Sequence, residues 1–329
     1  MSISVTTGNS ISSFDGISIF YRGWVHPSPV AFVYVSHGMS EHSGRYDDFA
    51  KNLAIALQVS VFATDHRGHG HTACPDGVAD LKNLGSFETK KDLSKVNCLD
   101  VMAQDVLDII ERNFAEKSLP IFLFGHSMGS LISRCIVRRL SGPLLQNLRG
   151  VVLSGVPTVP PFYERGPLLL LLNSGLALGK GRETLHEFIM GKFDDQVRKL
   201  RGNAKLLKNC FITSVNEELA AFTADPLCGQ TVDLYIWKSL RRTLIELMDP
   251  KTFYANATPA CAYMFISGRE DPICNNGQTA ELQAKQMTKL GLNVAEVYLS
   301  NCLHEFLHES PVPRKIGIDQ VNAWIRSRL

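Results

Sequence analysis

The chain has 329 residues, of which 45% are apolar and 20% charged, as in an ordinary soluble globular protein. Its 34 Lys and Arg residues nearly balance 32 Asp and Glu residues, so the net charge of +2 gives no case for nucleic acid or an anionic membrane. The longest apolar run, residues 168–178, is too short to span a bilayer. The eight cysteines are scattered without C-x-x-C pairs, which predicts reduced thiols in a cytoplasmic protein, and residues 1–10 lack the pattern of a signal peptide.

Apolar runs and helical spacing alternate along much of the chain. The runs predict strands over residues 17–24, 30–36, 59–64, 120–124, 149–154, 262–267 and 295–299. Apolar residues at helical spacing predict helices over residues 45–58, 96–114, 128–140 and 313–329. Because strands that are apolar throughout are covered on both faces, the pattern predicts an α/β fold with a mostly parallel sheet between helices.

The alternation stops between about residues 156 and 260, where helical patterns occur without a convincing strand. An all-helical insertion at this point would lie over the carboxyl ends of the strands, where ligands bind in such sheets. The leucine-rich piece at residues 167–172 is either a buried core helix or an acyl-lining lid, and in the second case Leu168 and Leu171 contact substrate.

This pattern predicts three segments. Residues 1–156 form the first part of an α/β core, residues 157–255 a helical cap, and residues 256–329 the second part of the core.

A G-H-S-M-G sequence at residues 125–129 follows one predicted strand and precedes a helix. A sharp turn there holds the serine in a strained conformation with its hydroxyl above the sheet edge, so Ser127 is the candidate nucleophile. Gly125 and Gly129 are required if a Cβ at either position would collide with the neighbouring strand or helix.

Ser127 needs a histidine base and an acid that orients the histidine, in the chain order serine, acid, histidine. Asp271 follows a predicted strand and is the candidate acid, with Glu270 as the competitor. His304 follows the next predicted strand and is the candidate base, whereas His308 lies a helical turn further from the strand end.

The oxyanion of an acyl-transfer intermediate needs two backbone N–H groups. Met128, directly after the serine, supplies one, and Met39 in the loop after the strand at residues 30–36 supplies the other. Gly38 would let this loop approach the substrate closely, although His37 and Gly38 can also be read as a plain turn. We expect His37, Gly38 and His126 to contact substrate.

Residues 65–71 hold three histidines and an aspartate, a set that could ligate a metal. A zinc hydrolase of the H-x-H-x-D-H type would need an Asp-His pair next, where this chain has Thr-Ala-Cys at residues 72–74. The glycines favour a tight loop in which Asp65 and Arg67 anchor the rim of the site, so neither a metal nor another cofactor is expected.

The chain resembles the monoacylglycerol lipase and lysophospholipase branch of the α/β-hydrolase fold. The matching segments are residues 37–46, 65–70, 125–129, 224–227, 271–272 and 304–305. The resemblance implies Ser127 as nucleophile, Asp271 as acid and His304 as base, with Met39 and Met128 as oxyanion donors. It also implies a helical cap and hydrolysis of monoacylglycerol to fatty acid and glycerol through an acyl-enzyme.

Several alternatives stay open. A lysophospholipid presents the same single acyl chain on a glycerol ester, and a general carboxylesterase would use the same machinery. A proline-releasing aminopeptidase would need a charged subsite for a free amine, and a non-catalytic scaffold usually lacks a triad member.

Nothing indicates an obligate protein partner, and any membrane contact is expected to be transient and through the cap. The final residues Ser327–Leu329 form a variant of the Ser-Lys-Leu peroxisomal address. The same residues also read as the end of an amphipathic helix. The cytoplasm is therefore the expected location, and a peroxisomal-type organelle is the alternative.

Overall fold

The computed structural model describes residues 2–114, 118–158, 172–176, 178, 180–255, 257 and 260–329. Its centre is one sheet, whose strands are β1 (Ser4–Ile11), β2 (Ser18–Val25), β3 (Ala31–Ser36), β4 (Val59–Thr64), β5 (Ile121–His126), β6 (Leu148–Ser154), β7 (Ala262–Gly268) and β8 (Asn293–Leu299). The spatial order is β1-β2-β4-β3-β5-β6-β7-β8. The pairs β1–β2 and β2–β4 are antiparallel, and every other neighbouring pair is parallel.

The central strands are apolar throughout because both faces of the sheet are buried. In β3, Phe32 and Tyr34 belong to one hydrophobic cluster, whereas Val33 and Val35 belong to the cluster on the other face. Successive strand side chains point to opposite faces, so a continuous apolar run supplies both layers at once.

Helices cover both faces of the sheet. Those that we label are α1 (Asp47–Leu57), α2 (Gly70–Ala73), α3 (Cys98–Phe114), α4 (Met128–Arg139), α5 (Gly142–Asn147), α6 (Arg182–Arg201), α7 (Asn216–Ala224), α8 (Leu234–Glu246), α9 (Pro250–Phe253), α10 (Gln278–Lys289) and α11 (Pro311–Arg326). Residues of α1 and α11 share one hydrophobic cluster, and residues of α3, α4 and α10 share the other. The predicted α/β class with a mostly parallel sheet is therefore confirmed.

Besides the short helices α2 and α5, strand β1 and helix α10 had no counterpart in the sequence prediction. Strand β1 is mostly exposed, with Ser10 as its one buried residue, so it lacks the apolar pattern that marks the other strands. Helix α10 is largely polar and buries only one narrow side. Both elements lie where one face meets water, and there burial leaves little trace in the sequence.

Helices α6 to α9 lie between β6 and β7, and the described residues of that interval contain no strand. The segment boundaries near residues 156 and 255 stay a prediction. Leu168 and Leu171, the predicted acyl contacts, lie outside the described residues. In the described ranges, no helix combines the length and the apolar character that crossing a membrane requires.

A fully buried arginine ties the loop after β4 to the rest of the core. The Arg67 guanidinium donates to Asp15 Oδ2 at 2.8 Å and to Asp105 Oδ2 at 2.7 Å. Asp15 lies in the turn between β1 and β2, and Asp105 lies on α3. The contacts confirm Arg67 as an anchor of this loop, as the sequence predicts.

Replacing Arg67 by methionine should destabilise the protein by about 3–5 kcal/mol, because two buried carboxylates would lose their countercharge. Lys95→Met is the matched control, since Lys95 and Asp92 pair at 3.7 Å with 83% and 57% of their side chains exposed. Urea unfolding followed by circular dichroism should show a lower midpoint for Arg67→Met and an unchanged midpoint for the control. Equal midpoints in the two variants would contradict this prediction.

Candidate active site

Ser127 occupies the turn between β5 and α4. Its backbone angles are φ 51° and ψ −119°, and its amide donates to the Ser154 carbonyl at 2.9 Å. A positive φ is strained for any residue with a Cβ, so the surrounding structure must hold the turn in place. The half-buried Ser127 side chain lies at the carboxyl end of the parallel strands.

Two close contacts explain the glycines on either side of the serine. A Cβ built on Gly125 would lie 2.4 Å from the Gly129 carbonyl oxygen, and one built on Gly129 would lie 2.0 Å from the Ser36 carbonyl oxygen. Both distances are far below contact distance and both partners are backbone, so neither can move aside. The predicted collisions are present.

Asp271 and His304 form a buried hydrogen-bonded pair. His304 Nδ1 lies 2.9 Å from Asp271 Oδ2, with 4% and 0% of the two side chains exposed. The amide of Ile273 donates to Asp271 Oδ1 at 2.9 Å, which fixes the carboxylate. Burial opposes the charged imidazolium, but the charge and hydrogen bond of Asp271 outweigh it and raise the pKa of His304 above its usual 6.5.

The two competing residues point elsewhere. Glu270 accepts a hydrogen bond from Arg201 of α6. His308 Nδ1 lies 3.1 Å from Glu218 Oε2 of α7. The structure therefore brings Asp271, and not Glu270, to His304.

The loop after β3 approaches the serine closely. A Cβ on Gly38 would lie 3.3 Å from Ser127 Cβ. His37 is fully buried behind this loop, and it is not among the residues that line the pocket described below. Its Nε2 accepts from the His66 amide at 2.9 Å, so its Nδ1–H donates to the Gly38 carbonyl at 2.7 Å. Burial lowers the pKa of His37 to about 4, which keeps this ring neutral.

A buried charge cluster joins the same loop to the histidine. Arg45 donates to Glu41 Oε2 at 2.8 Å and to both oxygens of Glu305 at 2.9 and 2.7 Å. Glu41 Oε1 accepts from the Gly38 amide at 2.5 Å. Burial opposes ionisation of Glu305, but Arg45 lowers the pKa of that carboxyl to about 2. Sequence reasoning missed this cluster, although all three residues fall in the segments that carry the family resemblance.

The segment between β6 and β7 is hydrogen-bonded to two loops of the site. The His304 amide donates to the Phe211 carbonyl at 3.2 Å, and the Glu305 amide donates to the Ile212 carbonyl at 2.9 Å. On the other side, His42 Nε2 lies 2.9 Å from Asp225 Oδ2. The loop after β3 and the loop after β8 are thus both hydrogen-bonded directly to the segment between β6 and β7.

One pocket brings several of these groups together. Its floor includes Gly38, Met39, Ser127, Met128 and His304, and His126 lines it as well. Its walls are largely apolar and come from the inserted helices and loops, with Phe193, Phe211, Phe222, Leu240 and Leu244 among them. Ser127 and His304 therefore face a largely apolar pocket.

In the loop at residues 65–71, His69 and Asp65 make hydrogen bonds to the backbone. His69 Nδ1 lies 2.9 Å from the Arg67 carbonyl oxygen. The Asp65 carboxylate accepts from the amides of Ser43 and His71, both at 2.7 Å. Asp65 thus ties the loop after β3 to its own loop, and its role at the rim of the site stays a prediction.

Comparison with known proteins shows the family to which the chain belongs. Residues 27–311 match the family described as serine aminopeptidase, S33. The monoglyceride lipase of Homo sapiens is 36% identical over 321 residues, covering 95% of this chain and 88% of that protein. The monoacylglycerol lipase of Mycolicibacterium smegmatis is 26% identical over 332 residues, covering 99% of each protein.

Among solved structures, a thermostable carboxyl esterase from Bacillus coagulans in complex with glycerol has a TM-score of 0.81 at 23% identity. The match covers 100% of this chain and 99% of that chain, and it supports the fold. These findings confirm the predicted α/β-hydrolase fold and the resemblance stated above. The chain therefore belongs to the serine aminopeptidase S33 family and is a monoglyceride-lipase-like α/β hydrolase, an enzyme of the serine hydrolase class.

Proposed function

We propose that this enzyme hydrolyses monoacylglycerol to free fatty acid and glycerol through an acyl-enzyme. The observation that carries the proposal is that Ser127 and His304 line the same apolar pocket, with His304 bonded to the buried Asp271 behind it. Such a pocket suits one acyl chain, and the relatives named above as monoglyceride and monoacylglycerol lipases support the substrate class.

In the first step, Ser127 Oγ attacks the ester carbonyl while His304 takes its proton. The bond of His304 Nδ1 to Asp271 leaves Nε2 as the nitrogen that accepts this proton. The backbone N–H groups of Met39 and Met128 hold the oxyanion, an assignment supported by the position of both residues in the pocket floor.

In the second step, protonated His304 gives its proton to the departing glycerol oxygen. Water then attacks the acyl-enzyme by the same route and releases the fatty acid. The pKa of His304, raised by Asp271, suits both roles, because the ring must hold the proton between attack and departure.

An aminopeptidase reaction, which the family description names, is less well supported. Binding a free amine would require an available carboxylate in the pocket. Among the described lining residues the carboxylates are Glu41 and Glu305, and Arg45 already binds both.

We further propose a cytoplasmic location and a transient contact of the cap with membranes. All eight cysteines are unpaired, and seven of them are buried. The cap presents exposed apolar side chains at Phe188, Leu200 and Leu207, with the Lys192 ammonium 5.4 Å from the Phe188 ring centre.

Replacing Ser127 by alanine should abolish release of fatty acid from monooleoylglycerol and hydrolysis of a short p-nitrophenyl ester, because no nucleophile remains. Ser133→Ala is the matched control, since Ser133 lies on α4 but does not line the pocket. Both variants should keep the wild-type circular dichroism spectrum. Activity retained by Ser127→Ala would refute the proposed nucleophile.

Replacing Asp271 by asparagine should lower kcat by roughly 10³–10⁴-fold, because the imidazole loses its orienting partner. It should also move the acid limb of the kcat/KM pH profile to lower pH. Activity requires neutral His304, and without the charge of Asp271 the pKa of His304 falls. The shift is partial because Glu305 and Glu41 also raise this pKa.

The matched control is Glu270→Gln, which removes the adjacent carboxylate. Because Glu270 accepts from Arg201 outside the pair, its variant should keep both the rate and the pH profile. A shifted limb in Glu270→Gln together with an unshifted limb in Asp271→Asn would reverse the assignment.

A further inference from the structure

Three hydrogen-bond donors lie together in the cap wall of the pocket. Helix α8 lines the pocket with Trp237, Leu240, Arg241 and Leu244. Their i, i+3, i+4, i+7 spacing places all four on one side of the helix. Arg241 therefore occupies a position on an otherwise apolar lining face, and His186 of α6 lies beside Trp237 with ring centres 6.0 Å apart.

The neighbouring arginines show how different Arg241 is. Arg242 points outward, with 61% of its side chain exposed, and binds Glu246 at 2.8 Å. Arg138 binds the same Glu246 at 2.8 Å and Asp100 as well. Arg241 is half-buried and has no ion pair or hydrogen bond with any residue that the structure describes.

The side chains of His186 and Trp237 are more deeply buried than that of Arg241, and each has a ring nitrogen without a hydrogen-bond partner among the described residues. His186 is 6% exposed and Trp237 is 5% exposed. His186 Nδ1 and Trp237 Nε1 are buried without a hydrogen-bond partner among the described residues. A buried polar group left unpaired is costly, so a bound group that pairs with these atoms would bind more favourably.

The chemistry of the three side chains selects the ligand. An indole N–H and a guanidinium only donate hydrogen bonds, and a neutral imidazole donates one. Burial lowers the pKa of His186 to about 4, so the cluster carries a single positive charge, that of Arg241. The pocket carboxylates Glu41 and Glu305 are bound by Arg45 and do not neutralise it. The complementary ligand is an anionic group with several acceptor oxygens.

We propose that Arg241, Trp237 and His186 form an anion-binding subsite, so that the enzyme selects single-chain lipid esters that carry a negative charge. This inference rests on the proposed function, because it concerns the substrate of the same serine. The anionic group is a phosphate on the glycerol or a carboxylate at the far end of the acyl chain, two sources that share the same chemistry.

The test compares three esters of equal acyl-chain length, below their critical micelle concentrations so that no lipid interface contributes. They are 1-palmitoylglycerol, 1-palmitoylglycerol 3-phosphate, and the monoglyceride of hexadecanedioic acid, which carries a carboxylate at the distal chain end. Each is assayed with wild type, with Arg241→Met, which keeps the apolar stem, and with Arg242→Met as the matched control one residue away.

We expect Arg241→Met to lower kcat/KM by at least about tenfold for one of the charged esters, as loss of a charge-assisted hydrogen bond predicts. For neutral 1-palmitoylglycerol the change should stay within about twofold, because this ester has no charged group to pair with the guanidinium. Arg242→Met should match wild type on all three esters. A selective loss on the phosphate places the anion on the headgroup, and a selective loss on the dicarboxylic ester places it at the chain end.

Equal losses on all three esters, or no loss on any, would overturn the subsite. Trp237→Phe provides a second variant in case Arg241→Met unfolds, because phenylalanine keeps the ring but lacks the N–H. It should reduce activity on the same charged ester. If wild type cleaves none of the esters, the proposed function fails, whereas cleavage of 1-palmitoylglycerol without a charge-selective loss in either variant defeats the subsite alone.

Discussion

The site depends on one backbone contact that leaves no room for a side chain. Gly129 lies so close to the Ser36 carbonyl that a Cβ would come within 2.0 Å of it. This contact presses the first turn of α4 against the end of β3, and it places the loop at Gly38 beside Ser127. This packing maintains the strained, positive φ of Ser127, because relaxing the turn would separate the end of β3 from α4.

A series of polar interactions connects the loop at Gly38 to the loop that carries His304. Glu41 holds the Gly38 amide, Arg45 binds Glu41 and Glu305, and Glu305 directly follows His304. The guanidinium lies 4.8 Å from the ring centre of Phe222, which belongs to the segment between β6 and β7, so one cation contacts both loops and that segment. Removing either carboxylate would leave the other groups of a buried cluster unbalanced, and the histidine loop and the glycine loop would lose their common support.

Sequence reasoning was enough to predict which loops of the sheet carry the candidate triad. Ser127 is flanked by a strand and a helix, and Asp271 and His304 follow later strands, so parallel topology alone brings them to one edge of the sheet. It failed at β1 (Ser4–Ile11), since an exposed edge strand has no apolar pattern to detect. It also missed Arg241, because a helix face that lines a pocket has the same apolar spacing as a face that packs in a core.

An arginine on a pocket face also changes how selectivity arises. A neutral acyl chain beside Trp237 and Arg241 offers these donors no acceptor, so they add little to the binding of a neutral ester. An anionic group supplies acceptors and a countercharge, so discrimination comes from what the charged ester gains. Leucine at position 241 would remove that gain and leave a pocket that ranks esters by apolar contact alone. The guanidinium therefore gives an otherwise apolar pocket a means to distinguish lipids by charge.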